Sequence, residues 1–355
     1  MANTTAYGFV GLEHLFSQRV TEAGETMIWD KVRESAALHS QVIADVMAAF
    51  AQTTTDRTRR VMLPGSGELQ PLDEHGNPIP TRPAGYYSVG FPIQGGGDAW
   101  GDNRVTRALM TVEEANRFTV EAMKKDSKWI RRHALAAILD DTTWTFPDPA
   151  GDIIIQPLAN GDTVVYNKVG GSAATDDHYS AQSAAIADAT NPYGVLYAEL
   201  AEHPGNSGPF VAYIPNNLVA TTEALTAFQE ITDPNIRLGT GNNALTASVD
   251  VGPGDELIGY VNGTFIVEWK ALPDNYIIAT ARGTDPILGM RQYPAAALQG
   301  FFPEFNDVDG NHQENRLLRY AGFGAQNRTG AAVMFVSAGD TTYDIPTGFT
   351  APLAV

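Results

Sequence analysis

Two short segments place a histidine beside carboxylates, a combination that could bind a metal ion or transfer protons. They are "DDHY" at residues 176–179, which contains His178, and "ELAEH" at 199–203, which contains His203. A zinc site of the H-x-x-E-H type needs a first histidine three positions before the glutamate, and "ELAEH" lacks it. The set is an incomplete zinc motif, so we predict no metal, no cofactor and no catalytic residues.

Three glycine-containing strings match parts of known binding loops. "GTGNNA" at 239–244 has the letters of a dinucleotide fingerprint, but "LTASVDVGPG" after it is not helical. "QGGGDAWG" at 94–101 lacks the Lys-Ser/Thr pair of a phosphate loop and predicts a flexible hinge. "DVDGN" at 307–311 places glycine fourth, whereas a calcium loop needs it sixth, so we expect a polar turn.

The densest positive charge lies in "KKDSKWIRR" at 124–132. We call its cations the basic stripe: Lys124, Lys125, Lys128, Arg131 and Arg132. Three interpretations are open, namely ion pairing with acidic groups of the same or neighbouring subunits, contact with a nonspecific polyanion, and a solvated face. Ion pairing is favoured because acidic partners are abundant in a chain with 41 acidic and 23 basic residues.

Composition excludes several classes of protein. A net charge of −18 opposes binding to nucleic acid and to anionic membranes, so any nucleic-acid contact must be local and nonspecific. The absence of cysteine excludes disulfides and thiolate chemistry. No basic residue precedes Arg19, so no secretory signal is predicted. The 355 residues, 43% of them hydrophobic, are typical of a folded globular protein.

The basic stripe lies on the strongest predicted helix, residues 111–141. Thr111 and Glu114 have the spacing of a capping box. At 100° per residue the apolar side chains gather on one side and the cations on another, which predicts an amphipathic helix. A second helix is predicted at 30–52, with Asp30 as its N-cap.

Residues 64–101 hold 9 glycines and 6 prolines in 38 positions, which is incompatible with a helix. The segment also contains Tyr86, Tyr87, Phe91 and Trp100, too many large apolar side chains for a simple linker. We predict a two-stranded excursion that leaves near Arg60 and returns near Arg104. Such a ribbon is marginal alone in water, so we expect it to lie on a neighbouring molecule.

The remainder predicts mixed α/β structure. Hairpins are expected around Asn160-Gly161 and Asn262-Gly263. Helices are expected at 193–203 and 218–231, buried strands at 209–215 and 275–281, and two extended segments around a polar loop at 304–315.

This order of elements resembles the major capsid proteins of tailed double-stranded DNA bacteriophages, which have the HK97-like fold. The resemblance is carried by the N-terminal arm, the Gly/Pro-rich excursion, "TVEEANRFTVEAMKKDSKWIRRHALAAIL", "PFVAYIPNNLVATTEALTAF", and the run from "LIGYVNGTFIVEW" to "GAAVMF". It implies an α+β fold with an extended β-hairpin loop, a long spine helix, a peripheral domain and an axial domain. The implied ranges are 1–54 for the arm, 55–110 for the extended loop, 111–190 for the spine helix and peripheral domain, 191–286 for the axial domain, 287–327 for the peripheral strands and loop, and 328–355 for the return to the axial domain.

The resemblance also implies a function. The expected protein is a non-enzymatic shell subunit that assembles in the host cytoplasm as pentamers and hexamers into the icosahedral head of a virion. Expected partners are other copies of the chain, separate scaffolding, portal and protease or decoration proteins, and packaged DNA contacted nonspecifically. The expected assembly contacts are Tyr86, Tyr87, Phe91, Trp100, Lys124, Lys128, Arg131, Arg132, Asp307 and Asp309.

Two alternatives remain, and one family property does not transfer. A nanocompartment shell of the same fold would hold enzyme cargo, and a soluble α/β enzyme would need a pocket of convergent ionisable groups. Some family members form Lys–Asn cross-links, but residues 64–101 contain no lysine, so no cross-link is predicted.

Overall fold

The computed structural model describes residues 16–48, 50–63, 71–78, 85–231, 256–307, 312–337 and 339–353. The helices of these ranges are α1 (Val20–Ala23), α2 (Glu25–Met47), α3 (Arg104–Leu109), α4 (Val112–Leu139), α5 (Pro192–Ala201) and α6 (Asn216–Glu223). The strands are β1 (Ala51–Thr54), β2 (Thr58–Met62), β3 (Tyr86–Gly90), β4 (Gln94–Asn103), β5 (Trp144–Phe146), β6 (Ile153–Ile155), β7 (Asn160–Tyr166), β8 (Ala174–Asp177), β9 (Tyr179–Gln182), β10 (Phe210–Ile214), β11 (Gln229–Glu230), β12 (Glu256–Val261), β13 (Thr264–Glu268), β14 (Tyr276–Ala281), β15 (Leu288–Arg291), β16 (Phe301–Asp307), β17 (His312–Ala325) and β18 (Ala331–Val336).

The long helix α4 confirms the prediction for residues 111–141. The Thr111 hydroxyl accepts from the backbone N–H of Glu114 at 3.2 Å, and the Glu114 carboxylate accepts from the N–H of Thr111 at 3.0 Å. This reciprocal pair satisfies two N–H groups that the first turn would otherwise leave without partners. Helix α2 begins earlier than expected, after Gly24, so the prediction of Asp30 as N-cap was wrong.

A five-stranded sheet packs against α2 and α4. Its order is β1-β15-β17-β16, with β4 also paired to β17. The β4–β17 ladder runs from the pair Asn103–His312 to the pair Gln94–Ala321. Residues 94–101 are therefore a sheet strand, and the prediction of a flexible hinge was wrong. Glycine is needed there for close packing, because a Cβ on Gly96 would lie 2.8 Å from the Trp129 ring.

The excursion at 64–101 differs from its prediction in a second way. β2 and β3 form the expected antiparallel pair, but Tyr87, Val89 and Phe91 are buried in a cluster with Ala159 and Tyr166 of the same chain. The returning half thus packs on its own chain, since alternate β3 side chains meet an apolar surface already present there. Residues 71–78 are all exposed. The expectation that the excursion lies on a neighbouring molecule therefore now applies to these residues.

The second large sheet has seven strands, in the order β11-β12-β13-β10-β14-β18-β9. Every residue of β10 and of β14 is buried, because both faces of the sheet are covered. Val211 and Tyr213 point into a core shared with α4, whereas Ala212 and Ile214 pack beneath α5 and α6. The strands predicted at 209–215 and 275–281 are confirmed.

Of the two predicted hairpins, the second is confirmed. β12 and β13 are joined by Asn262 and Gly263, whose φ values of 46° and 89° are typical of a two-residue primed turn. Helix α5 confirms the helix at 193–203, whereas α6 ends at Glu223, before the predicted end at 231.

The hairpin predicted around Asn160-Gly161 was wrong. β6 pairs with β5, and β7 pairs with β8. The guanidinium of Arg328 explains this: it is fully buried and donates to the carbonyl oxygens of Pro157 and Leu158 at 2.8 and 3.0 Å, and to Asp162 at 2.7 Å. The carbonyl oxygens of Pro157 and Leu158 therefore accept from Arg328, and are not available for the backbone hydrogen bonds of a hairpin.

Candidate functional site

The basic stripe lies on the outer face of α4. The inner face carries small and apolar residues, among them Ala115, Ala122 and Ile130, which are buried against the five-stranded sheet and α2. Lys124, Lys128, Arg131 and Arg132 are exposed, as is Lys125. The amphipathic helix predicted from the 3.6-residue period is therefore confirmed.

Two cations of the stripe have partners within the same chain. The Lys125 ammonium lies 2.8 Å from Asp98 of β4, and its pKa is raised chiefly by this hydrogen bond. Arg132 donates twice to the carbonyl oxygen of Gly348, at 3.1 and 3.0 Å. Water screens exposed contacts of this kind, so they orient the side chains more than they stabilise the fold.

The other three cations make no such contact. In the part of the chain that the structure describes, no ion pair or hydrogen bond involves the side chains of Lys124, Lys128 or Arg131. They present about three positive charges on one face of a strongly acidic protein. Such a face can attract an acidic partner, and this was the favoured interpretation of the stripe.

Beneath the stripe lies an ionic contact that sequence reasoning missed. Asp126 is buried, and its two carboxylate oxygens accept from Arg319 of β17 at 2.6 and 2.8 Å. One of them also lies 2.9 Å from His39 Nε2 of α2. A signal was present: Asp126 stands four residues from both Ala122 and Ile130, on the face that the helical period assigns to the core.

The aromatic residues predicted as assembly contacts differ in how much of each side chain is exposed. Tyr87 and Phe91 are 6% and 0% exposed, and Tyr87 donates to the carbonyl oxygen of Gln326, so these two predictions were wrong. Trp100 is half-buried and stacks on Phe118 at 5.6 Å. Tyr86 is 53% exposed beneath the guanidinium of Arg60, 4.1 Å from the ring centroid, and it stays a predicted contact.

The predicted polar loop at 304–315 is shorter than expected. β16 extends to Asp307 and β17 begins at His312, and the two pair throughout that length. Asp307 ends its strand, whereas Asp309 and the string at 239–244 lie outside the described residues. Both aspartates stay predictions as assembly contacts.

The two histidines singled out in the sequence are brought together. His178 and His203 are both buried, and their Nε2 atoms lie 2.9 Å apart. Burial lowers the pKa of His178 to about 4, so its ring is neutral at pH 7. The sequence does not indicate this pairing, which arises because the turn between β8 and β9 faces the end of α5.

Carboxylates surround this pair. Burial alone would raise the pKa of Asp176, but His203, His178 and Lys168 outweigh it and hold that pKa well below its usual range. Burial, reinforced by the charges of Asp176 and Glu202, raises the pKa of Glu199 to about 7. The cluster is thus a set of closely spaced ionisable groups inside the chain.

Comparison with known proteins identifies the fold. No protein-family model matches the sequence, and no curated protein matches it. A solved chain from Mycobacterium phage Patience matches with a TM-score of 0.69 and 19% identity, over 100% of this chain and 99% of that one. Two further structures are less similar. The capsid of the native GTA particle has a TM-score of 0.47 and 12% identity, over 83% of this chain and 91% of that one. The capsid of Cyanophage P-SCSP1u has a TM-score of 0.47 and 9% identity, over 82% of this chain and 87% of that one.

The chain therefore has the fold of the phage Patience chain along its whole length. The predicted likeness of fold to a phage protein is confirmed by this match. The mixed α+β class is confirmed as well.

Proposed function

We propose that the protein is the structural shell subunit of a tailed phage, assembling as pentamers and hexamers into an icosahedral head that encloses double-stranded DNA. The observation that carries this proposal is the full-length match to the phage Patience chain, with a TM-score of 0.69. The match covers 100% of this chain and 99% of that one, so the likeness concerns the whole described architecture.

The proposed domains coincide only in part with the two sheets. Helix α4 is the proposed spine, and the proposed peripheral domain comprises residues 111–190 and 287–327, which contribute β15, β16 and β17 to the five-stranded sheet. The proposed axial domain comprises 191–286 and the return at 328–355, which contribute every strand of the seven-stranded sheet except β9. Residues 1–54 are the proposed arm and 55–110 the proposed extended loop, although β4 belongs to the sheet of the proposed peripheral domain.

Two exposed features of the subunit support assembly. The tip of the extended loop, residues 71–78, has every residue exposed, including Leu72 at 61%. Its turn is formed locally, because the Asp73 carboxylate accepts from the N–H groups of His75 and Asn77 at 2.9 and 2.7 Å. A preformed turn with exposed apolar residues is a suitable contact for a second copy, since little ordering entropy remains to be lost.

The unpartnered cations are the second feature. Lys124, Lys128 and Arg131 can pair with acidic groups of a neighbouring subunit, or contact packaged DNA without sequence specificity. The proposed partners are further copies of this chain, together with separate scaffolding, portal and protease or decoration proteins. The proposed location is the virion, after assembly in the host cytoplasm. No helix in the described ranges combines the length and apolar character needed to cross a bilayer.

The decisive experiment is electron microscopy of the full chain expressed alone and with the scaffolding candidate of its own genome. We expect closed icosahedral particles with five-fold and six-fold capsomers. Small particles that enclose protein cargo would instead indicate the nanocompartment. A chain that remains monomeric under all assembly conditions would overturn the proposal, and saturable binding of a small substrate by that monomer would favour an enzyme.

A further inference from the structure

Three electron-pair donors converge inside the subunit, between the β8–β9 turn and the end of α5. They are Oδ2 of Asp176, Nε2 of His178 and Nε2 of His203. The two nitrogens lie 2.9 Å apart, and Oδ2 lies 3.1 Å from the nitrogen of His203 and 3.9 Å from that of His178. All three residues are buried, so water does not separate these atoms.

The remaining ring nitrogens fix the tautomers. Nδ1 of His178 lies 2.7 Å from the carbonyl oxygen of Ala331, and Nδ1 of His203 lies 3.3 Å from that of Asn167. A carbonyl oxygen can only accept, so each Nδ1 carries a proton and Nε2 is the ring nitrogen that faces the convergence point. Two imidazole nitrogens and a carboxylate oxygen at these distances need a positive charge among them, either a proton or a cation.

The surroundings are also those of a cation site. A histidine that binds a metal usually donates its other N–H to a backbone carbonyl or a carboxylate, which holds the ring in place, and both rings do so here. Oδ1 of Asp176 accepts from the N–H of Asp177 at 3.0 Å, which leaves Oδ2 directed at the histidines. That oxygen is buried, and its contacts with His203 and Lys168 are not aligned as hydrogen bonds.

Nearby charges favour a cation as well. Lys168 lies 3.2 Å from Asp176 and 2.7 Å from Glu202, and Glu199 approaches the same two carboxylates. Two carboxylates, those of Asp176 and Glu202, therefore outnumber the one ammonium group that contacts them. The ammonium of Lys168 lies nearer to Glu202 than to Oδ2 of Asp176, so its charge is shared between the two carboxylates.

We propose that Asp176, His178 and His203 form a binding site for one divalent transition-metal ion of the zinc type, with two imidazole nitrogens and one carboxylate oxygen as ligands. Zn²⁺ binds such atoms at about 2.0–2.2 Å in a tetrahedral arrangement, whose ligand–ligand edge is about 3.3 Å. The three observed distances between ligand atoms, 2.9, 3.1 and 3.9 Å, lie on both sides of that length. Small side-chain shifts would therefore bring the three atoms to tetrahedral spacing. Imidazole and carboxylate ligands without thiolate suit Zn²⁺ and Co²⁺.

The site has a structural role in this arrangement. Asp176 and His178 belong to the segment that leads from β8 to β9, whereas His203 follows α5, so a shared ion joins the β7–β8 hairpin to α5. A single bound water molecule would complete the coordination. Because all ligands come from one chain, the site belongs to the folded subunit and does not depend on shell assembly.

The test uses the purified full chain in unassembled and assembled form. After treatment with EDTA and gel filtration, Zn²⁺ is added and the bound metal is measured by mass spectrometry, with thermal unfolding followed in parallel. We expect one Zn²⁺ retained per chain, a rise in the unfolding temperature on adding it, and, with Co²⁺, the visible absorption of a four-coordinate ion. Absence of retained metal and of the Co²⁺ band in folded wild-type protein would overturn the proposal and leave a shared proton as the balancing charge.

Variants locate the ion. His203→Gln and Asp176→Asn keep hydrogen-bonding side chains of similar size, and each is expected to lose the Zn²⁺-dependent rise in unfolding temperature and the Co²⁺ band. His75→Gln is the matched control, because His75 is exposed and lies in the 71–78 turn, and it should retain both signals. Equal metal retention in His203→Gln, Asp176→Asn and wild type would place the ion elsewhere and refute the site. Should the variants fail to fold, the wild-type measurements still decide.

Discussion

Arg319 of β17 and Asp126 of α4 form a two-pronged ion pair in the interior, with N–O distances of 2.6 and 2.8 Å and side chains 2% and 3% exposed. The pair connects the long helix to the central strand of the five-stranded sheet, 193 residues further along the chain. It lies on the opposite side of the helix from the exposed cations, so α4 combines a charged surface with a charged anchor in the core.

Replacing one member of this pair should destabilise the subunit strongly. Asp126→Asn leaves the Arg319 guanidinium buried without a counter-charge, and removal of one partner of a buried ion pair costs about 3–5 kcal/mol. The measurement is urea unfolding of the unassembled subunit at one fixed concentration. The double variant Asp126→Leu with Arg319→Met is the control and should recover much of the loss, because neither charge is then unpaired. A single variant as stable as wild type would show that the pair contributes little.

Arg328 is expected to be irreplaceable by lysine. Its guanidinium serves two carbonyl oxygens and the carboxylate of Asp162 at the same time, and a single ammonium cannot reach all of these acceptors. Arg328→Lys should lower the free energy of unfolding by about 2–4 kcal/mol, since buried acceptors lose their donors. Arg33→Lys, at an exposed arginine of α2, should change it by less than about 0.5 kcal/mol. Similar effects of both substitutions would contradict this account of residues 157–162.

Two glycines of β4 should respond differently to alanine. A Cβ at Gly96 would come within 2.8 Å of the Trp129 ring, whereas a Cβ at Gly101 meets no atom within 4 Å. Gly96→Ala should therefore destabilise the subunit by about 1–3 kcal/mol through overpacking. Gly101→Ala should be neutral or slightly stabilising, because it restricts the unfolded chain. Equal effects in chemical unfolding would mean that the glycines serve strand flexibility and not packing.

Reversal of the exposed charges tests the assembly role of α4. In the triple variant Lys124→Glu, Lys128→Glu and Arg131→Glu, no partner within the described subunit is lost, so the unfolding midpoint should change little. Particle yield should fall substantially, because each small repulsion is repeated at every copy of the contact. The charge-conserving variant Lys124→Arg, Lys128→Arg and Arg131→Lys should assemble normally. A normal yield of the reversed variant would assign these cations to a solvated face.

Local signals in the sequence determined the elements whose determinants lie close together along the chain. The capping box at Thr111 and the 3.6-residue period determined α4, the Asn262-Gly263 pair determined its hairpin, and continuous apolar runs identified β10 and β14. The order of these elements was enough to indicate a resemblance to a known fold. Related folds keep the order of their elements even when sequence identity is low, as in the match at 19% identity.

Tertiary structure decided which surface each segment meets. The returning half of the excursion is buried on its own subunit because Ala159 and Tyr166 complete its apolar cluster, and no local pattern reports a partner about 70 residues away. The Asn160-Gly161 pair favours a hairpin, but the chain forms none there. Residues 157–162 instead supply hydrogen-bond acceptors to the buried guanidinium of Arg328, and leaving that group without acceptors would cost more than losing a marginal turn. His178 and His203, separated by 24 intervening residues, became neighbours only when β8 and α5 packed together. Periodicity and turn chemistry act over a few residues, whereas ion pairs, buried acceptors and converging ligands depend on distances that only the folded chain defines.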